Sequence, residues 1–116
     1  MTAARRPVRR LRPTRERTPT LSEALDAFLA QPDLAPSSRR SYAQTFARLR
    51  DALGGERSLE RLSARELERA AREAWGGLAP ATWNRHVATL RSFSSFCCRR
   101  GWLCAAIADG LERRRG

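Results

Sequence analysis

At 116 residues the chain is long enough for one domain with one core and too short for two. Ala, Arg, Leu and Glu dominate, Val and Ile are scarce and Tyr occurs once, so the 41% hydrophobic content favours helices. It excludes a sheet protein and a chain disordered throughout. The net charge is +11 and all 23 basic residues are arginine. A GC-rich coding sequence would account for Arg in place of Lys, but not for the excess of positive charge, which points to nucleic acid.

The charge is uneven. Seven arginines against Glu16 give +6 in residues 1–19, and sixteen arginines against eleven acids give +5 in the rest. With Pro7, Pro13 and Pro19 among them, residues 1–19 are expected to form a disordered basic arm. Cys97, Cys98 and Cys104 are odd in number and two are adjacent, so no disulfide framework is expected. His86 is the only histidine and no CxxC or HxxxH spacing occurs, so neither a metal site nor a cofactor is predicted. No run approaches the ~20 apolar residues of a membrane span, and the basic start lacks the apolar stretch of a secretion signal. The expected setting is the cytoplasm, with reduced thiols.

In chain order, Thr20 and Glu23 form a T-x-x-E capping box that opens a first helix carrying Leu21, Leu25, Phe28 and Leu29 and ending at Pro32. A second helix starts at Pro36, and Tyr42, Phe46, Leu49 and Leu53 form its apolar stripe before Gly54-Gly55. Leu59 and Leu62 lead into a third, opened by a second capping box, Ser63 to Glu66. Its inward residues are Leu67, Ala70, Ala71 and Ala74, and Trp75 and Gly76-Gly77 close it. A fourth runs from Pro80 to about Arg100 with Trp83, His86, Val87, Leu90, Phe93, Ser94 and Cys97 on one arc, and Gly101 ends it. A short fifth helix is expected over roughly 106–114, carrying Ile107 and Leu111. The fold class is therefore all-α, a compact four-to-five-helix bundle over residues 20–113.

The segments Ala35-Pro36-Ser37-Ser38-Arg39-Arg40-Ser41-Tyr42 and Ala79-Pro80-Ala81-Thr82-Trp83-Asn84-Arg85-His86-Val87 repeat one pattern. Leu90-Arg91-Ser92-Phe93 and Arg100-Gly101-Trp102-Leu103 follow the second, and Leu59-Glu60-Arg61-Leu62-Ser63-Ala64-Arg65-Glu66-Leu67 lies between them. In order and spacing these resemble the core-binding domain of tyrosine recombinases, the SAM-like N-terminal domain of phage integrases. The likeness spans residues 20–113. Ser38 stands where that family has Thr. Ala106-Ile107 stand where it has Asn-Pro or Asp-Pro. Residues 114–116 read as a truncated linker towards a catalytic domain, and the family's catalytic Arg, Lys, His and Tyr set is not expected here. Tyr42 resembles a structural tyrosine.

The resemblance implies binding to double-stranded DNA through the second and fourth helices, in DNA recombination and integration. It implies no enzymatic activity for this chain, no small-molecule substrate, and possible neighbours in other recombinase protomers on the same site. Residues that leave the apolar stripes and could meet DNA are Ser37, Ser38, Arg39, Arg40 and Gln44 on the second helix, and Thr82, Asn84, Arg85, Thr89 and Arg91 on the fourth. Arg suits phosphate or guanine and Asn or Gln suits adenine, while Ser37, Ser38 and Thr82 fall in first turns with free N–H groups. Arg48, Arg50, Arg65, Arg69 and Arg72 read as ordinary surface residues, Arg65 and Arg69 with Glu68 and Glu73 near enough to offset them. Two other readings stay open: a stand-alone regulatory or remnant module that competes for a recombinase site, and a basic RNA-binding helical bundle.

Overall fold

A computed structural model describes residues 18–115. It contains four α-helices: α1 (Leu21–Leu29), α2 (Pro36–Leu53), α3 (Ala64–Trp75) and α4 (Pro80–Arg99). A 3-10 turn, Leu59–Arg61, lies between α2 and α3. Among the described residues there is no strand, only a single bridge between Thr20 and Ser58. The expected arm falls mainly on residues 1–17, outside the described residues. Its last two residues belong to the fold. Pro19 is buried and its carbonyl accepts from Leu59 N–H at 3.0 Å, and Thr18 Oγ1 donates to Glu60 Oε1 at 3.1 Å.

Both expected capping boxes form. Thr20 Oγ1 accepts from Glu23 N–H at 3.1 Å while Glu23 Oε1 accepts from Thr20 N–H at 3.0 Å. At α3, Ser63 Oγ accepts from Glu66 N–H and Glu66 Oε1 from Ser63 N–H, each at 3.1 Å. The Arg57 guanidinium also grips both Glu66 oxygens, at 3.0 and 2.8 Å. That hydrogen bond, helped by the one from Ser63, holds the Glu66 carboxyl below its usual range. Replacing Ser63 with Ala should cost about 0.5–2 kcal/mol of stability, read as a shift of the urea midpoint at unchanged slope. An unshifted midpoint would mean that this cap contributes nothing.

The Arg100-Gly101-Trp102 segment stops α4 by a Schellman turn. Gly101 adopts φ 77°, its N–H donates to the Cys98 carbonyl at 3.0 Å, and Trp102 N–H donates to the Cys97 carbonyl at 2.9 Å. The Trp102 ring then stands edge-on to Phe96, 5.9 Å away. A side chain at position 101 would oppose that positive φ.

The core sits where α1 crosses α2 and α4. Phe28 meets Tyr42, Phe46, Phe93 and Phe96 edge-on at 5.3–6.0 Å. α3 adds Leu67, Ala70, Ala71 and Trp75, all buried. Cys97 is fully buried, and burial pushes its thiol up to about 12, so it packs as a small hydrophobe.

The expected fifth helix is not formed. Residues 106–114 make only tight turns, Asp109 N–H to Ala106 O and Leu111 N–H to Ala108 O. The carbonyls of Leu111, Glu112 and Arg114 are instead bonded by side chains of α4, to Arg91, Trp83 and Asn84 respectively. Ile107 and Leu111 are nonetheless buried, as their apolar character requires. Ile107 N–H donates to Ser94 Oγ at 3.1 Å, a bond that proline at this position could not make.

Candidate nucleic-acid interface

α2 and α4 are joined side by side by a polar chain. Arg85 Nη1 donates to Ser41 Oγ at 2.8 Å, and Thr45 Oγ1 and His86 Nδ1 are 2.8 Å apart in the interior. Thr45 Oγ1 donates to the Ser41 carbonyl at 3.4 Å, which leaves its oxygen to accept from His86 Nδ1–H. His86 Nε2 then accepts from Arg85 Nη2 at 3.4 Å. This order makes the imidazole neutral with its proton on Nδ1. Its ring stacks on Trp75 at 4.3 Å. Burial first, then the charges of Arg85 and Arg48, lower its pKa to about 4.

The exposed face of α4 is a straight stripe: Ala81, Arg85, Ala88, Ser92, Ser95 and Arg99, spaced alternately four and three. It alternates small side chains, Ala81, Ala88, Ser92 and Ser95, with the cations Arg85 and Arg99. On α2 the matching exposed residues are Ser37, Arg40 and Gln44. The first turns of α2 and α4 carry no side-chain cap, in contrast to α1 and α3. The N–H groups of Ser37 and Ser38, and of Ala81 and Thr82, therefore lack a side-chain cap.

The ten expected DNA-facing residues do not form one class. Ser37, Arg40, Gln44 and Arg85 are exposed, while Ser38 and Thr82 are partly covered. Arg40 has no partner among the described residues. Arg39 is turned inward: its Nε and Nη2 donate to the Leu29 and Gln31 carbonyls at 2.9 Å, where they cap the end of α1. Thr89 is only 3% exposed, and its hydroxyl donates back to the Arg85 carbonyl at 3.2 Å. Asn84 spends both ends of its amide on the Arg114 backbone, and Arg91 is bonded to the Leu111 carbonyl. Arg39, Thr89 and Asn84 are thus corrected from free polar groups to internal ones, and Arg91 to an exposed residue tied to the returning chain.

Two of the presumed surface arginines also hold the fold. Arg48 caps α3 through the Ala74 carbonyl at 3.1 Å, and Arg50 bonds Ser22 and pairs with Asp26 at 2.5 Å. The expected offsets of Arg65 by Glu68 and Arg69 by Glu73 do not close as ion pairs among the described residues. Arg65, Arg69, Arg72, Glu68 and Glu73 still mix their charges around one shallow depression. Sequence reasoning missed Ser41, Ser92, Ser95, Arg99 and Arg113. The four-three spacing from Ala81 to Arg99 was the available signal for Ser92, Ser95 and Arg99. No local signal existed for Arg113.

Four helices on a shared core, with an arginine-edged face across the second and fourth, define a small all-helical SAM-like domain. The phage integrase N-terminal SAM-like domain profile matches residues 23–101, more than half of the chain, and the chain belongs to that family. Comparison with curated proteins and with solved structures found no match. No helix among the described residues is long and apolar enough to cross a membrane.

Proposed function

We propose that this chain binds double-stranded DNA as the core-binding part of a tyrosine recombinase, without catalysing cleavage itself. The observation that carries the reading is the Arg85–Ser41 hydrogen bond at 2.8 Å, which joins the exposed faces of α2 and α4 into one cationic surface. Arg40, Arg85 and Arg99 supply phosphate or guanine contacts, and Gln44 is the free side chain with an adenine-reading amide. The uncapped first turns at Ser37, Ser38 and Thr82 add N–H donors for phosphate. Tyr42, the sole tyrosine, packs on Phe28 and serves the core. The arginines of residues 1–17 add a sequence-independent contact. The chain works in the cytoplasm, beside other recombinase protomers on the same site.

A duplex-binding titration at several salt concentrations tests this. If ~5 phosphates are neutralised, the log–log salt slope will be about −4.5. Arg85→Ala will weaken binding by ~1–3 kcal/mol if Arg85 reads a base, and will relax preference at that position. If it touches phosphate alone, it will lower the slope by ~0.9 evenly across sequences. Arg69→Ala, in the mixed-charge depression of α3, will change little. Equal losses at Arg69 and Arg85 would sink the assignment of this face.

A further inference from the structure

After the Schellman turn at Gly101, the chain returns along α4, and consecutive residues of that helix hold it. Trp83 Nε1 donates to the Glu112 carbonyl at 2.8 Å. Asn84 Nδ2 donates to the Arg114 carbonyl at 2.7 Å, and its Oδ1 accepts the Arg114 N–H at 2.6 Å. The Arg114 guanidinium lies 3.9 Å over the Trp83 ring and donates to the Gly76 carbonyl at 2.8 Å. The backbone is therefore fixed immediately before and immediately after Arg113.

With Arg114 turned inward, Arg113 is left outward. It is exposed and has no hydrogen-bond or ion-pair partner among the described residues. It shares a shallow groove of about 430 Å³ with Ala81, Asn84, Arg85 and Ala88. Two arginine side chains and two alanines line it, and no described carboxylate does. The Arg85 guanidinium is held by Ser41 and His86, while that of Arg113 has no such bond. An anion entering it can approach the helix closely and accept planar, two-pronged hydrogen bonds. Ordering a long arginine for such a contact costs side-chain entropy, and a backbone already held on both sides removes part of that cost.

We infer that Arg113 is a phosphodiester-binding residue opposite Arg85, and that Asn84 and Trp83 are positioning residues that hold the returning segment, so Asn84 does not read a base. The inference rests on the reading of this chain as a duplex-DNA binder, and it assigns Arg113 and Asn84 roles that the ordering of polar residues along α4 does not suggest.

The test is a double-mutant cycle on the full chain, with wild type, R113A, N84A and N84A/R113A titrated on a preferred and a scrambled duplex at several salt concentrations. R113A is expected to weaken both duplexes by the same factor and to lower the log–log salt slope by ~0.9, the value for one phosphate. N84A should reproduce that loss of slope without altering sequence preference, and the double variant should bind no more weakly than N84A alone. A merely structural role for Asn84 would lower thermal stability without moving the slope. If N84A fails to fold, R113A decides alone, because Arg113 holds no hydrogen bond or ion pair among the described residues. R113A binding like wild type overturns the inference, as do additive losses accompanied by a changed preference in N84A. A wild-type chain with no salt-dependent duplex binding would instead overturn the DNA reading itself and take this inference with it.

Discussion

Replacing Phe28 with Ala will remove about 3–5 kcal/mol, a large share of the stability of a domain of this size. Phe28 is 4% exposed, and its ring is the common neighbour of Tyr42 and Phe46 on α2 and of Phe93 and Phe96 on α4. Truncation takes away the transfer energy of the ring, four edge-to-face contacts and the filling of the space between three helices. Only partial collapse into that space is open to α1, because Thr20–Glu23 and the bonds from Leu21 and Ser22 to Arg57 and Gly55 tether its start. A fall of at least about 12 °C in the thermal midpoint is expected. Leu78→Ala is the control: Leu78 is 44% exposed, and its loss should stay within about 0.5 kcal/mol. Urea and thermal unfolding followed by far-UV circular dichroism measure both. A Phe28→Ala midpoint close to that of the control would show that α1 does not close the core.

The helices were legible because their ends are written locally. Thr20–Glu23, Ser63–Glu66 and Gly101 act through bonds within a few residues, Pro36 and Pro80 through their fixed φ, and each reappears at a helix boundary. The buried faces were legible for a similar reason, since an apolar arc needs only the helical period. Polar groups obey no such local rule. Asn84, Arg91 and Arg39 all leave the apolar stripes, yet each finds a backbone carbonyl brought from another part of the chain. What those residues do depends on the path of residues 29–31 and 111–114, which no periodicity encodes. The missing fifth helix is partly a local failure: Gly110 is a poor helix former, and only two tight turns close between Ala106 and Leu111. Thr89 failed differently. It sits at the border of the arc, and its bond back to the Arg85 carbonyl let it be buried at little cost.

Acidification is expected to destabilise the chain through His86 in a defined window. In the fold the imidazole is neutral, 5% exposed, stacked on Trp75 and facing the guanidinium groups of Arg85 and Arg48. Its pKa is lowered from 6.5 to about 4, first by burial and then by Arg85 and Arg48. Unfolded, the same side chain takes its proton near 6.5, so between those two values the unfolded state binds more protons than the folded one. Stability therefore falls as pH drops from about 6.5 towards 4 and gains no further loss from His86 below that. The loss from this one group is at most about 3 kcal/mol. Glu66 adds a separate acid-side loss below its ordinary value of 4.5, because Arg57 favours its charged form in the fold. The comparison that isolates His86 is wild type against His86→Gln, unfolded in urea at several values between pH 7 and 4.5. The variant should be less stable at neutral pH, having lost the ring stacked on Trp75. It should also be nearly flat across the window, so the two stability curves converge as the solution is acidified. Curves that run parallel would show that His86 is protonated as readily in the fold as out of it, and the neutral relay from Arg85 through His86 to Thr45 would have to be abandoned.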